Sequence, residues 1–345
     1  MILITGGTGF LGAHLIYHLL QKVDKVRAIK RKDSSFHVLS RVFSFYHTDI
    51  DNLMKRIEWV EGDITDVCSL DPCFDAVTEV YHVAGKVSFL PADKGELMRI
   101  NVTGTANVVN LALDKDVKKL LHVSSISAIG RVASEKVIAE ATAWKTSGKN
   151  SMYAVSKYAA EKEVWRGMAE GLNAVIVNPS IILGVGEYET GSGRLIKTVE
   201  KGLKFYTNGV NGFVDVQDVA KVMILLMDSD ISDERFIVSA ENLSYKRLFE
   251  YIASGLGKPA PKFAAGKILS GATWRASALK SWLTGNKPFI SREVAQTANN
   301  KYFYTSGKLI SRTGYNFNPV KQTIMEICRH HREVSTRKDF GSMIS

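Results

Sequence analysis

The run Thr5-Gly6-Gly7-Thr8-Gly9-Phe10-Leu11-Gly12 constrains this chain more than any other stretch. It follows the apolar Met1-Ile2-Leu3-Ile4, which reads as a buried strand, and it opens an amphipathic segment over 11–21. The glycines fit Gly-x-x-Gly-x-x-Gly through Gly6, Gly9 and Gly12, and Gly-x-Gly-x-x-Gly through Gly7, Gly9 and Gly12. An early glycine permits the tight turn, the middle one lets a pyrophosphate approach the backbone, and the last lets helix and strand pack closely. The free amides of the helix start, at Phe10, Leu11 and Gly12, then face the phosphates. A strand, this turn and a helix in that order predict dinucleotide binding.

The rest of the first 240 residues agrees with such a unit. Short apolar runs at 25–29, 57–60, 79–82, 120–123 and 174–177 alternate with helical patterns at 96–113 and 153–170, and the stretches 36–45 and 49–55 read as a helical insert. Continuously apolar strands between helices predict a parallel sheet covered on both faces. The expected fold class is therefore α/β, a doubly wound Rossmann sheet over 1–183, to which the chain returns around 210–240. A smaller, mostly helical substrate lobe occupies most of 184–345, with helical patches at 216–227, 245–256, 267–283, 292–299 and 320–331. Four glycines between 184 and 193 suggest a mobile loop at its entry.

At the end of the second strand, an acid would bind the ribose 2′-hydroxyl of NAD, and a base would accept the 2′-phosphate of NADP. Arg31 stands there, beside Lys32, so NADP(H) is the preferred cofactor; Asp33 keeps NAD(H) possible.

Tyr153-Ala154-Val155-Ser156-Lys157 begins a predicted helix, and the i, i+4 spacing puts Tyr153 and Lys157 on one face. A neighbouring ammonium lowers a phenol's pKa. The strand over 120–123 ends in Ser124-Ser125, on the ligand side of such a sheet.

Glycine turn, strand-end serine and Tyr-x-x-x-Lys together resemble the extended short-chain dehydrogenase/reductase family, which includes NAD-dependent epimerases and dehydratases. The resemblance covers nearly the whole chain and extends to Gly62-Asp63-Ile64-Thr65-Asp66, Val83-Ala84-Gly85, Asn101-Val102-Thr103-Gly104-Thr105 and 213–220. It implies that Tyr153 is the general acid/base, Lys157 its electrostatic partner and Ser125 the substrate-polarising hydroxyl. It further implies that Asp63 and Ile64 contact adenine, that Val83, Ala84 and Gly85 lie beneath the adenosine ribose, and that Asn101, Pro179 and Ser180 belong to the cofactor site. Ile129 departs from the tyrosine that relatives often carry. The segment 178–184, Asn-Pro-Ser-Ile-Ile-Leu-Gly, looks like dihydroflavonol-reductase-like members. An NADP(H)-dependent reductase of a small carbonyl compound, or the reverse alcohol oxidation, is the expected function. A nucleotide-sugar epimerase or dehydratase holding NAD is the alternative, and a non-catalytic cofactor-binding sensor or scaffold the third.

Charge is unevenly distributed. Residues 1–240 hold 28 Lys and Arg against 29 Asp and Glu, whereas 241–345 hold 17 against 6. A basic lobe suits a solvated face, an anionic substrate or an anionic surface. Arg194, after the glycine-rich loop, is a candidate clamp for an anionic substrate group. The segment 267–283 carries Trp274 and Trp282 among Lys267, Arg275 and Lys280; it reads first as a core-facing helix of the lobe, with peripheral membrane contact or an amphiphilic substrate as the alternative. No nucleic-acid module, leader or membrane-spanning run is expected. The three cysteines form no disulfide framework or zinc knuckle, and cytoplasmic placement follows. His14 and His18 have no third ligand nearby, so no metal site is expected. His330 and His331 are expected to complement the C-terminal dipole of the last helix. By family analogy the chain is expected to form a homodimer.

Overall fold

A computed structural model describes residues 1–46, 49–131, 137–147, 150–189, 191–265 and 298–343, with side chains to residue 334. The predicted helices at 267–283 and most of 292–299, with the core-packing and membrane-contact readings of the former, lie outside the described residues. The chain divides into two compact units, one of Met1–Ser180, Val216–Val238 and Thr305–Asn316, the other of Ile181–Asp215, Ser239–Tyr304 and Phe317–Ser345.

The first unit is built on seven parallel strands: β1 (Ile2–Thr5), β2 (Val26–Lys30), β3 (Ile57–Glu61), β4 (Glu79–His82), β5 (Lys119–Val123), β6 (Ala174–Pro179) and β7 (Glu234–Val238). Their order is β7-β6-β5-β4-β1-β2-β3. The order reverses between β1 and β4, and such a switch point opens a crevice at the carboxyl ends of the strands. β5 and β6 are buried at every position, which explains their apolar stretches Leu120–Leu121 and Ala174–Val177. Register aligns Leu3, Val80, Leu120 and Ala174 in one row, facing a core shared with α2 (Gly104–Asp114) and α3 (Met152–Ala169). The alternate row, Ile4, Tyr81, Leu121 and Val175, points to the other face, where α1 (Phe10–Leu20) and α4 (Val216–Met227) pack.

Two predicted helices change on folding. The pattern over 96–113 is not one helix: a turn at Lys94–Leu97 passes through a π-helical stretch, Met98–Thr103, into α2. His37–Phe45 and Ile50–Lys55 form the expected insert, and Tyr46 from its end places its hydroxyl 2.7 Å from His14 Nδ1 and 3.4 Å from His18 Nε2. Those histidines therefore hold the insert against α1.

The second unit is more extended than the sequence suggests. Beside helices Gly193–Glu200, Tyr245–Leu256 and Val320–Met343, it contains a three-stranded sheet of Ile181–Leu183, Val210–Asp215 and Glu241–Ser244. Phe205–Tyr206 and Phe263–Ala264 add a short parallel pair. His330 and His331 do not cap the last helix, because it runs on to Met343. His331 Nε2 instead lies 2.9 Å from Glu200 Oε1, and its ring meets that of Tyr188 edge-on at 4.5 Å.

Candidate active site

The glycine turn is shaped by close approach. Gly6 has φ +73°, and a Cβ there would stand 2.7 Å from Ala84 N; one on Gly12 would stand 2.2 Å from Gly6 O. Both values are too short for any side chain, so β1, α1 and the 83–85 loop meet backbone to backbone. Gly9 is the N-cap of α1, which has no side-chain cap and no acid in its first turn. The amides of Phe10, Leu11 and Gly12 have no intrahelical acceptor, and the positive helix end has no carboxylate to neutralise it. That is a cradle for phosphate.

Thr5, at the end of β1, ties this turn to the neighbouring loop. Its hydroxyl accepts the amides of Val83 (3.1 Å) and Ala84 (3.0 Å) and lies 2.8 Å from His82 Nδ1. His82 Nε2 is 3.0 Å from Thr105 Oγ1, which donates to Asn101 O at 2.6 Å. With the Thr105 proton so engaged, His82 must donate from Nε2 and accept from Thr5 at Nδ1. The neutral ring this requires matches its pKa, which burial and, secondarily, the Lys157 charge lower to about 3. Sequence reasoning missed this chain of contacts; the only signal was a histidine ending an apolar strand.

At the end of β2, Arg31 N donates to Ser34 Oγ and Ser34 N to Arg31 O, both at 3.0 Å, which fixes a turn. The Arg31 side chain projects from it largely exposed, with Asp33 Oδ1 3.7 Å from its Nε, and Lys32 is exposed alongside. Asp63 accepts the Thr65 amide and hydroxyl at 2.8 Å each. Burial works to raise its pKa, but these bonds and the charges of Arg99 and Arg31 outweigh it, so the carboxyl stays ionised below its ordinary range. Ile64 is buried beneath Gly104, and its carbonyl accepts from Asn107 Nδ2 at 2.9 Å.

Ser125, Tyr153 and Lys157 converge at the carboxyl end of β5. Ser151 caps α3 by accepting the Ala154 amide at 2.8 Å, which sets Tyr153 and Lys157 on its first two turns, both buried. Ser125 begins a turn of 3₁₀ helix, Ile126–Ala128, where its hydroxyl accepts the Ser127 amide at 3.1 Å, and it lies near enough to Tyr153 to exert a small lowering influence on the phenol. Lys157 Nζ donates to Val123 O at 2.7 Å. Burial lowers the lysine to about 8, against a smaller opposing effect of Glu161. Tyr153 departs from the expectation. Its pKa is raised, because burial outweighs the smaller lowering influence of Ser125.

Asn101 lies in the π-helical stretch, where its Oδ1 accepts Lys86 N (2.7 Å) and its Nδ2 donates to Lys86 O (3.0 Å) and Ser156 Oγ (2.9 Å). It holds the 83–86 loop to α3. A Cβ on Gly85 would lie 3.7 Å from Lys157 Nζ, so this loop borders the lysine. Pro179 ends β6, and the Ser180 hydroxyl beyond it is buried with no hydrogen-bond partner among the described residues. Arg194 lies in helix Gly193–Glu200 of the second unit.

Two further contributions were not visible in the sequence. Phe89 sets its ring edge-on to Tyr153 at 5.6 Å. Asn178 Nδ2 donates both to Ser125 O (3.0 Å) and to Glu161 Oε1, while Glu161 pairs with Arg235 at 2.9 Å. This ladder from β7 through α3 and β6 anchors the backbone of Ser125.

A family model described as the NAD-dependent epimerase/dehydratase family matches residues 2–238. The chain belongs to this family. Among proteins of that kind, it is 30% identical over 264 residues to sterol demethylase protein B of Methylococcus capsulatus, which covers 76% of each chain. It is 28% identical over 331 residues to a putative dihydroflavonol 4-reductase of Synechocystis sp., covering 94% of this chain and 92% of that one. The solved structure of gox2253 superposes with a TM-score of 0.79 at 25% identity, over 96% of this chain and 98% of the other. A UDP-glucose 4-epimerase from Thermotoga maritima superposes with a TM-score of 0.75 at 17% identity, over 96% and 99%, a likeness of fold. NAD(P) is the cofactor of the epimerase/dehydratase family, and the uncapped amides of α1, the side-chain-free approach at Gly6 and Gly12, and the Ser180 hydroxyl, unpartnered among the described residues, fit it. No helix among the described residues is long and apolar enough to cross a membrane.

Proposed function

We propose that the protein is an NADP(H)-preferring reductase of a small carbonyl compound, with Tyr153 as proton donor and Ser125 as the second hydroxyl on the carbonyl oxygen. The observation that carries this reading is the convergence of Ser125 with the buried Tyr153 and Lys157 at the carboxyl end of β5, with Tyr153 held protonated by burial. When bound, the nicotinamide supplies hydride to the carbonyl carbon. Negative charge then grows on the oxygen, where two fixed hydroxyls stabilise it more than bulk water does. Tyr153, protonated in the neutral range, passes its proton to that oxygen as the charge grows. Lys157 places a positive charge beside the 83–86 loop, within reach of ribose hydroxyls, and the Asn178–Glu161–Arg235 ladder keeps Ser125 from turning away. The reductase names of relatives such as the Synechocystis protein and a Petunia hybrida cinnamoyl-CoA reductase, 24% identical over 354 residues, support the same direction.

NADP preference rests on Arg31 and Lys32, two exposed cations in the turn where the 2′-substituent is read. Calorimetric titration tests it. The wild type is expected to bind NADPH at least about tenfold better than NADH, a difference of about 1.4 kcal/mol. Arg31→Asp should erase or invert that ratio. Equal weakening of both cofactors would move the ribose contact to Asp33. NAD retained tightly through purification would overturn the reductase reading in favour of a sugar-nucleotide epimerase.

A further inference from the structure

We propose that the second unit carries a membrane-contact surface, in which Phe205 and Phe263 insert among the lipids of an anionic bilayer while Lys201, Lys204, Lys258 and Lys262 bind the headgroups. The surface lies on the parallel pair Phe205–Tyr206 and Phe263–Ala264. Phe263 stands directly opposite Phe205 in the register, so the two rings share a face, with centroids 5.7 Å apart. Three backbone bonds fix the pair: Lys262 N and Phe263 N donate to Lys204 O, and Ala265 N to Tyr206 O. Phenylalanine is usually buried, yet Phe205 is 47% exposed and Phe263 58% exposed.

What surrounds the rings identifies the partner. All four lysines are exposed, and among the described residues none is paired with a carboxylate. The neighbouring acids are engaged elsewhere, Glu200 by His331 and Glu250 by Arg247. Lys204 and Lys262 directly precede Phe205 and Phe263, and Lys201 and Lys258 come shortly before them, so the exposed apolar pair is flanked along both chain segments by positive charge. Protein interfaces enrich aromatic side chains but deplete lysine. Phosphopeptide and nucleic-acid sites favour the arginine fork, and this cluster contains no arginine. Phenylalanine has no polar tip to satisfy, and lysine can lay its stem along hydrocarbon while its ammonium stays at headgroup level. An anionic bilayer complements both features. The following stretch, 267–283, adds Trp274, Trp282, Lys267, Arg275 and Lys280 in sequence and no acid.

Co-sedimentation of the full-length protein with vesicles tests this, using phosphatidylcholine alone or with about 30 mol% phosphatidylserine. Wild type should partition at least about tenfold more strongly onto the anionic vesicles, and added salt should weaken the binding. Phe205→Ser/Phe263→Ser and, separately, Lys204→Glu/Lys262→Glu should each reduce partitioning by at least about tenfold. Melting temperature and cofactor affinity should stay at wild-type values. The charge reversal keeps the test valid should the serine pair disturb the strand pairing. The proposal fails if wild type does not distinguish the two vesicles, or if the charge-reversed variant binds as wild type does. It also fails if a short DNA duplex binds more tightly than the anionic vesicles and shows the same loss in both variants, which would assign the lysines to nucleic acid.

Discussion

Burial holds Tyr153 in its protonated form, the form from which a proton can be given. With its pKa raised, the phenol stays protonated throughout the neutral range, and Ser125 orients it from the strand end. Tyr153→Phe keeps the ring against Phe89 and removes only the hydroxyl. Turnover should fall by roughly 10²–10⁴-fold, the usual worth of a positioned acid, with cofactor affinity nearly unchanged. Steady-state kinetics beside a binding titration measures both, and retained turnover would remove Tyr153 from the proton path. Gly6, Gly12, Ser125, Tyr153 and Lys157 were readable because each stands at a fixed spacing or at a strand end. Phe89, Asn178 and Glu161 were not, since the contacts that matter join residues far apart in the chain. The sign of the Tyr153 shift was also hidden. It depends on how deeply the phenol is buried, which only the folded chain sets.

Lys157 matters to the elements as well, because its bond to Val123 O stitches the second turn of α3 to the end of β5. The buried lysine titrates near 8 in the fold, below the 10.5 of an ordinary lysine. Between those values the unfolded chain binds more protons than the folded one, so this group makes stability rise with pH. Lys157→Met lacks that contribution. Thermal melts should therefore show the wild type gaining on the variant from about pH 8 to about pH 10.5, and a constant gap would contradict the shifted lysine. At this scale the sequence disclosed the periodic elements, the strands and the long helices α1 and α3. The π-helical interruption at Met98–Thr103 escaped, because its apolar pattern is that of an ordinary helix. Its cause is not local, since Asn101 must reach both Lys86 and Ser156. The pair Phe205–Tyr206 and Phe263–Ala264 escaped for a similar reason: two residues carry no period, and pairing alone makes them strands.

The first unit is not one stretch of chain. Thr305–Asn316 belongs to it, and helix Gly307–Thr313 lies beside β7. Lys308 Nζ donates to Arg235 O at 3.0 Å, Lys308 and Arg312 both pair with Glu234, and Leu309 is fully buried. Leu309→Ala should cost about 2–5 kcal/mol in denaturant unfolding followed by cofactor protection, although the residue is remote in sequence from every cofactor contact. An unchanged midpoint would show that the late segment is dispensable to the sheet. Composition and periodicity indicated a chain that returns to its sheet, and β7 does so, but a second return at 305–316 left no mark. A single short helix gives no clue to the unit it will join.

That late return bears on how the protein is made. A ribosome releases the glycine turn, the serine and the Tyr-x-x-x-Lys pair long before it releases residues 234–238 or 305–316. Until then β6, largely apolar and destined to be flanked on both sides, is the outermost strand of an incomplete sheet. An open apolar edge of that kind invites pairing with other chains. The emerging chain thus carries its glycine turn and Tyr-x-x-x-Lys pair before it carries Arg235, whose pairing with Glu161 completes the support of Ser125 and whose strand closes that edge.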